Sequence, residues 1–132
     1  MDTYIFQCVF TYEEDGIHIY YPDFDGCVSF GETEQEAFDM ANEALTLHIW
    51  GMEQDNDLIP EPSPIKDLQL EENQRAVLIK VFMPPFRAKQ ENRLVKKTLT
   101  IPEYLNILGE HNGVNFSQLL QKALKEYLNI AG

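Results

Sequence analysis

The chain has 132 residues, 44% of them hydrophobic and 11% aromatic, with a formal net charge of −12. That length holds one domain or two small ones, with enough apolar material for a packed core. No apolar run approaches the ~18 residues needed to span a membrane, and Asp2 arrives too early for a secretory signal, so a cytoplasmic location is expected. Thr3 to Phe10 reads as a strand, rich in aromatic and β-branched residues. Glu13-Glu14-Asp15-Gly16 reads as a hairpin turn with Asp-Gly as its signal, and Ile17 to Tyr21 as a second strand. Pro22-Asp23-Phe24-Asp25-Gly26 makes a tight loop before a short strand from Cys27 to Phe30. Thr33 caps a helix, with Glu36 three residues on. This helix is expected to run to about Trp50 and to bury Phe38, Ala41, Leu45, His48 and Ile49. Residues 53–75 are acidic and hold Pro60, Pro62 and Pro64, so they read as loop. Ala76 to Met83 is apolar except for Lys80, as a central strand would be. Pro84-Pro85 ends it, and residues 86–92 read as a polar linker.

The last forty residues carry the clearest pattern. Arg93-Leu94-Val95-Lys96-Lys97-Thr98-Leu99-Thr100-Ile101 alternates as a strand does, with Val95, Leu99 and Ile101 on one face and Lys96, Thr98 and Thr100 on the other. Pro102 ends the strand and suits the first turn of a helix reaching about Glu110. Asn112-Gly113 stops that helix, and Asn115 caps another, with Gln118 as the box partner. Phe116, Leu119, Leu120, Ala123, Leu124, Tyr127 and Leu128 then form an amphipathic stripe. A strand-helix-helix unit this small cannot bury that much apolar surface alone. A two-fold dimer with antiparallel strands solves the problem and presents two copies of Lys96, Thr98 and Thr100 on one ribbon. Such a ribbon fits the major groove of DNA. The N–H groups of Phe116 and Ser117, behind the Asn115 cap, suit a backbone phosphate.

Charge divides along the same line. Residues 1–75 hold 18 acidic and 2 basic residues, a balance of −16, whereas residues 76–132 hold 4 acidic and 8 basic, a balance of +4. An acidic part joined to a basic part implies two partners of opposite charge. Cys8 and Cys27 have no metal-ligand spacing and read as small buried hydrophobes. His18, His48 and His111 fall on separate elements. Asp23, Asp25 and Glu36 could be imagined around the metals of a nuclease, but turn chemistry and helix capping account for all three. No catalytic residue, metal or cofactor is expected.

Residues 93–130, above all Thr98-Leu99-Thr100-Ile101-Pro102 and Gly113-Val114-Asn115-Phe116-Ser117-Gln118-Leu119-Leu120, resemble a ribbon-helix-helix DNA-binding domain. The first part resembles the N-terminal domain of HicB antitoxins. The resemblance is carried by Gly16 to Asp23, Gly26-Cys27, Gly31, Thr33, Glu36-Ala37, Ala41, Ala44-Leu45 and Ile59-Pro60-Glu61-Pro62-Ser63. Asp25 departs from the pattern, since many members have Pro there. The two resemblances together imply an α+β protein. An acidic β-β-β-α-β, partial RNase H-like domain would occupy residues 1–85, a linker 86–92 and a ribbon-helix-helix domain 93–132. They imply an antitoxin of a type II toxin–antitoxin pair that neutralises a HicA-type toxin, a small basic ribonuclease that cleaves mRNA, and represses its own operon at operator DNA. Lys96, Thr98, Thr100, Asn115, Phe116 and Ser117 would contact DNA. Tyr20, Asp23, Phe24 and Asp25 would face the toxin, with the two aromatics as the candidate apolar anchors. The assembly would be a homodimer, with a tetramer left open. The competing reading is a stand-alone ribbon-helix-helix repressor whose first part senses a ligand or oligomerises.

Overall fold

A computed structural model describes residues 1–130; residues 131 and 132, the end of the expected second domain, lie outside it. The elements in order are β1 (Thr3–Glu13), β2 (Gly16–Tyr20), β3 (Val28–Gly31), α1 (Glu34–Gln54), a 3-10 turn (Ile65–Asp67), β4 (Gln74–Phe82), α2 (Pro84–Gln90), α3 (Glu103–His111) and α4 (Phe116–Tyr127). They divide into two compact units, Met1–Arg93 and the chain from Leu94 onward.

The first unit is one antiparallel sheet in the order β3-β2-β1-β4, with α1 packed on it. Register decides which residues enter the core. Phe10 lies opposite Ile19, Tyr12 opposite Ile17 and Phe6 opposite Ile79, so alternation sends Phe6, Cys8, Phe10, Ile17, Ile19, Ile79 and Val81 to one face. All seven are buried, together with Ala37, Ala41, Leu45 and Ile49 of α1. Each large side chain of this set contributes about 1.5–3 kcal/mol on burial. The spacing of the four helix residues places one stripe on the sheet. Two of the four are alanines, so the backbone of α1 comes close, and the buried Tyr21 hydroxyl donates to the Ala41 carbonyl at 2.6 Å. Thr33 caps α1, its Oγ1 accepting from the Glu36 N–H at 3.1 Å.

Several expectations are corrected. Phe38 is 49% exposed and Ala37 is buried instead, because the stripe that meets the sheet starts one residue earlier. His48 is half-buried at the margin of the core, its ring against Phe24. The Glu13–Gly16 hairpin turn forms as expected, but Gly16 is already the first residue of β2, so the two loop residues are Glu14 and Asp15 and not Asp-Gly. β4 is an edge strand, not a central one: Leu78 and Phe82 are exposed on the face away from α1. Its continuous apolar run has two-sided composition but only one-sided burial.

Residues 86–92, expected as a linker, are mostly helix. Pro84 and Pro85 sit in the first turn of α2, where a missing N–H costs nothing. Arg87 anchors that helix by donating to Glu53 Oε1 at 3.1 Å, to Asp2 Oδ1 at 2.8 Å and to the Met1 carbonyl at 2.7 Å.

In the second unit α3 and α4 form as expected, and Asn115 Oδ1 accepts from the Gln118 N–H at 3.0 Å. The turn between the helices closes with two bonds. Gly113 N–H meets the Glu110 carbonyl at 3.1 Å, and Val114 N–H meets the Gly109 carbonyl at 2.9 Å, with Gly113 at φ +69°. Asn56, Asn92 and Asn129 hold the same left-handed position after α1, α2 and α4. The alternating segment 93–101, expected as a strand, has no strand pairing and no regular secondary structure. A strand exists only where its N–H and C=O groups meet a second strand, and the described residues of this unit offer none. No residue of α3 or α4 is buried.

Candidate functional site

The four residues expected to face a toxin do not converge. Phe24 is 4% exposed, so it is a core residue and not a surface anchor. Its ring meets Phe6 edge-on at 4.6 Å between centroids and His48 at 5.2 Å. The loop itself turns Phe24 inward. Tyr21 N–H bonds the Cys27 carbonyl, Phe24 N–H the Tyr21 carbonyl and Cys27 N–H the Phe24 carbonyl. Asp23 has a structural partner, because its carboxylate accepts from the Ser63 N–H at 3.0 Å and from the Ser63 hydroxyl at 2.5 Å. That clamp joins the loop to the Pro60–Ser63 segment, a link forty residues long that spacing alone could not reveal. Tyr20 is partly exposed on the sheet face away from α1, and Asp25 is exposed. These two are exposed and Asp23 is half-buried beside Ser63.

The residues expected to face DNA are all exposed. Lys96, Thr98 and Thr100 lie along the unpaired segment before α3. Asn115, Phe116 and Ser117 open α4, where the first N–H groups of a helix have no partner within it. The Ser117 hydroxyl accepts from Gln121 Nε2 at 3.2 Å. Phe116 packs over Gly109: a Cβ at that glycine would sit 2.6 Å from the ring. Sequence reading missed Gly109, although a glycine inside an otherwise helical run was a signal that something approaches closely there.

The unit boundary changes the charge balance. Residues 1–93 hold 19 acidic and 6 basic residues, and the chain from Leu94 onward holds 3 and 4. Lys80, Arg87, Lys89 and Arg93 belong to the acidic unit, so the second unit is close to neutral. Any attraction to phosphate there depends on the adjacent Lys96 and Lys97 more than on net charge.

Nothing among the described residues points to a reactive centre. Burial pushes the Cys8 thiol up to about 12 and the Cys27 thiol up to about 11, so neither is a nucleophile near neutrality. Burial likewise raises the Tyr21 hydroxyl. Among the described residues no cluster of three or more His, Cys, Asp or Glu is placed to hold a metal ion, and no helix is long and apolar enough to cross a membrane.

A family model described as HicB-like antitoxin of bacterial toxin–antitoxin systems matches residues 7–124, across both units. The chain belongs to the HicB-like antitoxin family. Among solved structures, the toxin–antitoxin complex from Streptococcus pneumoniae contains a chain that this antitoxin resembles with a TM-score of 0.61 and 26% identity. The likeness covers 95% of this chain and 99% of that one. The Burkholderia pseudomallei antitoxin HicB, at 18% identity and a TM-score of 0.53, shares the fold over 95% of this chain and 98% of its own. An uncharacterised 14.9 kDa protein from the rep-hol intergenic region of Haemophilus phage HP1 (strain HP1c1) is 42% identical over 52 residues. That stretch is 39% of this chain and 39% of the phage protein, well under half of the curated relative.

Proposed function

We propose that this antitoxin neutralises a small HicA-type, mRNA-cleaving ribonuclease and represses its own operon. In this reading it has no enzymatic activity and acts in the cytoplasm. The first unit, with its β-β-β-α-β order of a partial RNase H-like domain, binds the toxin. The second acts as a ribbon-helix-helix dimer on operator DNA. The antitoxin half is supported by the family match over residues 7–124 and by likeness to a chain of a toxin–antitoxin complex.

One observation carries the DNA half: the second unit has no core of its own. Leu94 and Val95 are at least 90% exposed, and Tyr104, Ile107, Leu119 and Leu128 are each more than half exposed. That much apolar surface requires a partner, and the unpaired alternating segment requires a strand. A second copy supplies both through a two-fold axis. Lys96, Thr98 and Thr100 then lie side by side on a ribbon facing the major groove, and the α4 N-termini flank it at the phosphates.

Co-expression with the reading frames that flank its gene, then purification of this chain, tests the first half. A stoichiometric partner that is toxic alone supports it; a chain that purifies alone beside a harmless neighbour favours the stand-alone repressor. The second half is tested with the Lys96→Ala/Thr98→Ala/Thr100→Ala variant, which should remain dimeric by light scattering but lose preference for promoter DNA. Removing a side chain that reads a base edge should cost about 1–3 kcal/mol. Unchanged operator binding would remove the ribbon from the interface.

A further inference from the structure

We infer that the antitoxin receives an extended basic segment of its ribonuclease partner in the groove between α1 and the edge strand β3; this rests on the toxin-binding reading above. Three observations converge there. The first is the outer wall of α1. Glu36, Met40, Glu43 and Leu47 follow one another at offsets of 0, 4, 7 and 11, so they form one row along the helix. Both carboxylates are exposed, Leu47 is 48% exposed and Met40 is half-buried; Met40, Glu43 and Leu47 line the groove, and Glu36 continues the row one turn beyond it. Acid and apolar groups alternate along this row, which suits a partner carrying Lys or Arg between apolar side chains.

The second observation is the opposite wall. β3 ends the sheet, and beyond it lies a groove of about 380 Å³ lined by Val28, Ser29, Met40, Glu43, Ala44 and Leu47. Val28 lies opposite Tyr20, so its side chain is on the face away from α1, and Val28 borders the groove through its backbone.

The third is the free backbone of that edge. Tyr21 N–H bonds the Cys27 carbonyl, and Ser29 pairs with Ile19, so hydrogen bonding to β2 falls on Cys27, Ser29 and Gly31. Val28 and Phe30 therefore turn their N–H and C=O groups away from the sheet. A strand added at this edge gains main-chain bonds from those two residues and takes its affinity from side chains in the groove. Two residues provide a short anchor, so the acidic row must contribute to orientation and speed of docking.

A basic ribonuclease fits this site better than a second copy does. The first unit holds 19 acidic against 6 basic residues, so a copy docked at this row would bring carboxylates against carboxylates.

The test uses the full chain and the ribonuclease obtained by co-expression, with binding kinetics and rescue of growth as readouts. Glu36→Lys/Glu43→Lys should weaken binding at least tenfold, mainly through a slower association rate. Val28→Pro, which removes an outward N–H and no hydrogen bond to β2 while fixing φ at that position, should weaken it at least tenfold through faster dissociation. Glu71→Lys/Glu72→Lys makes the same change in net charge outside the groove and should stay within about threefold of the parent. Trp50 fluorescence checks folding, and if Val28→Pro does not fold, the paired-lysine variants decide alone. The inference is overturned if both groove variants bind within twofold of the parent, or if the Glu71/Glu72 variant loses as much. It is also overturned if Val28→Pro changes the oligomeric mass while toxin binding is kept, since the occupant is then a second copy. If the parent chain itself neither binds nor neutralises the ribonuclease, the antitoxin reading fails, and the groove with it.

Discussion

Gly31 sets how closely α1 approaches the sheet, and Gly31→Ala measures that distance. Gly31 is buried at the end of β3. A Cβ there would press on the Ala37 nitrogen and stand 2.5 Å from the Ala37 Cα. Both are backbone atoms of the first turn of α1, so no side chain can swing aside, and the helix itself must shift. Overpacking of this kind costs about 1–3 kcal/mol, and shifting α1 also loosens Ala41 and Leu45. Restricting the unfolded chain returns about 0.4–1 kcal/mol. The net expectation is a destabilisation of about 2 kcal/mol, toward the upper end because backbone must move. With a urea slope of about 1–3 kcal/mol/M, the midpoint should fall by roughly 1 M. Gly51→Ala is the matched control. It lies inside α1 with nothing within 4 Å of its added Cβ, and should gain about 1 kcal/mol from helix propensity alone. Trp50, the single tryptophan, sits in α1 and reports on this unit. Two variants shifting in the same direction, or Gly31→Ala unfolding within about 0.5 kcal/mol of the parent as an ordinary surface change does, would refute the close packing of α1 on β3.

Tyr21→Phe removes a buried hydroxyl that donates to Ala41 while leaving the ring in place. It should cost about 0.5–1.5 kcal/mol by urea titration; no change would mean the bond contributes nothing. Cys8 and Cys27 should resist a thiol reagent at pH 8 in the folded protein and react fully in urea. Because burial raises both thiols above their unfolded value of 9, their contribution to stability is complete below pH 9. It is lost as pH rises through about 11 and 12. Midpoints measured from pH 7 to 11 should therefore be flat and then fall. Arg87→Ala breaks the bonds that tie α2 to Glu53 and to the N-terminus. It should lower stability by about 1 kcal/mol after allowance for partial solvent screening; an unchanged midpoint at low salt would show that α2 is held by other groups.

Local sequence was enough to specify where α1 and α4 start and where α3 stops, although α1 runs to Gln54, past its expected end near Trp50. Thr33 and Asn115 cap α1 and α4, and Gly113 sits at the left-handed turn after α3. These are matters of backbone geometry and one side-chain bond, encoded within a few residues. The succession of three strands, a helix and a fourth strand along the first unit was legible from composition and turn residues within short windows. Whatever depends on groups distant in sequence emerged only on folding. Phe24 looks like an exposed loop aromatic until Phe6 and His48 close over it, and Asp23 looks free until Ser63 arrives forty residues later. β4 reads as central because composition records hydrophobicity but not which neighbours are present. α2 reads as linker because the Arg87 partners, Asp2 and Glu53, lie far away along the chain. The segment before α3 is the converse case. Its alternation is plain in sequence, yet no strand forms in a single chain, because the hydrogen bonds that define one need a second backbone.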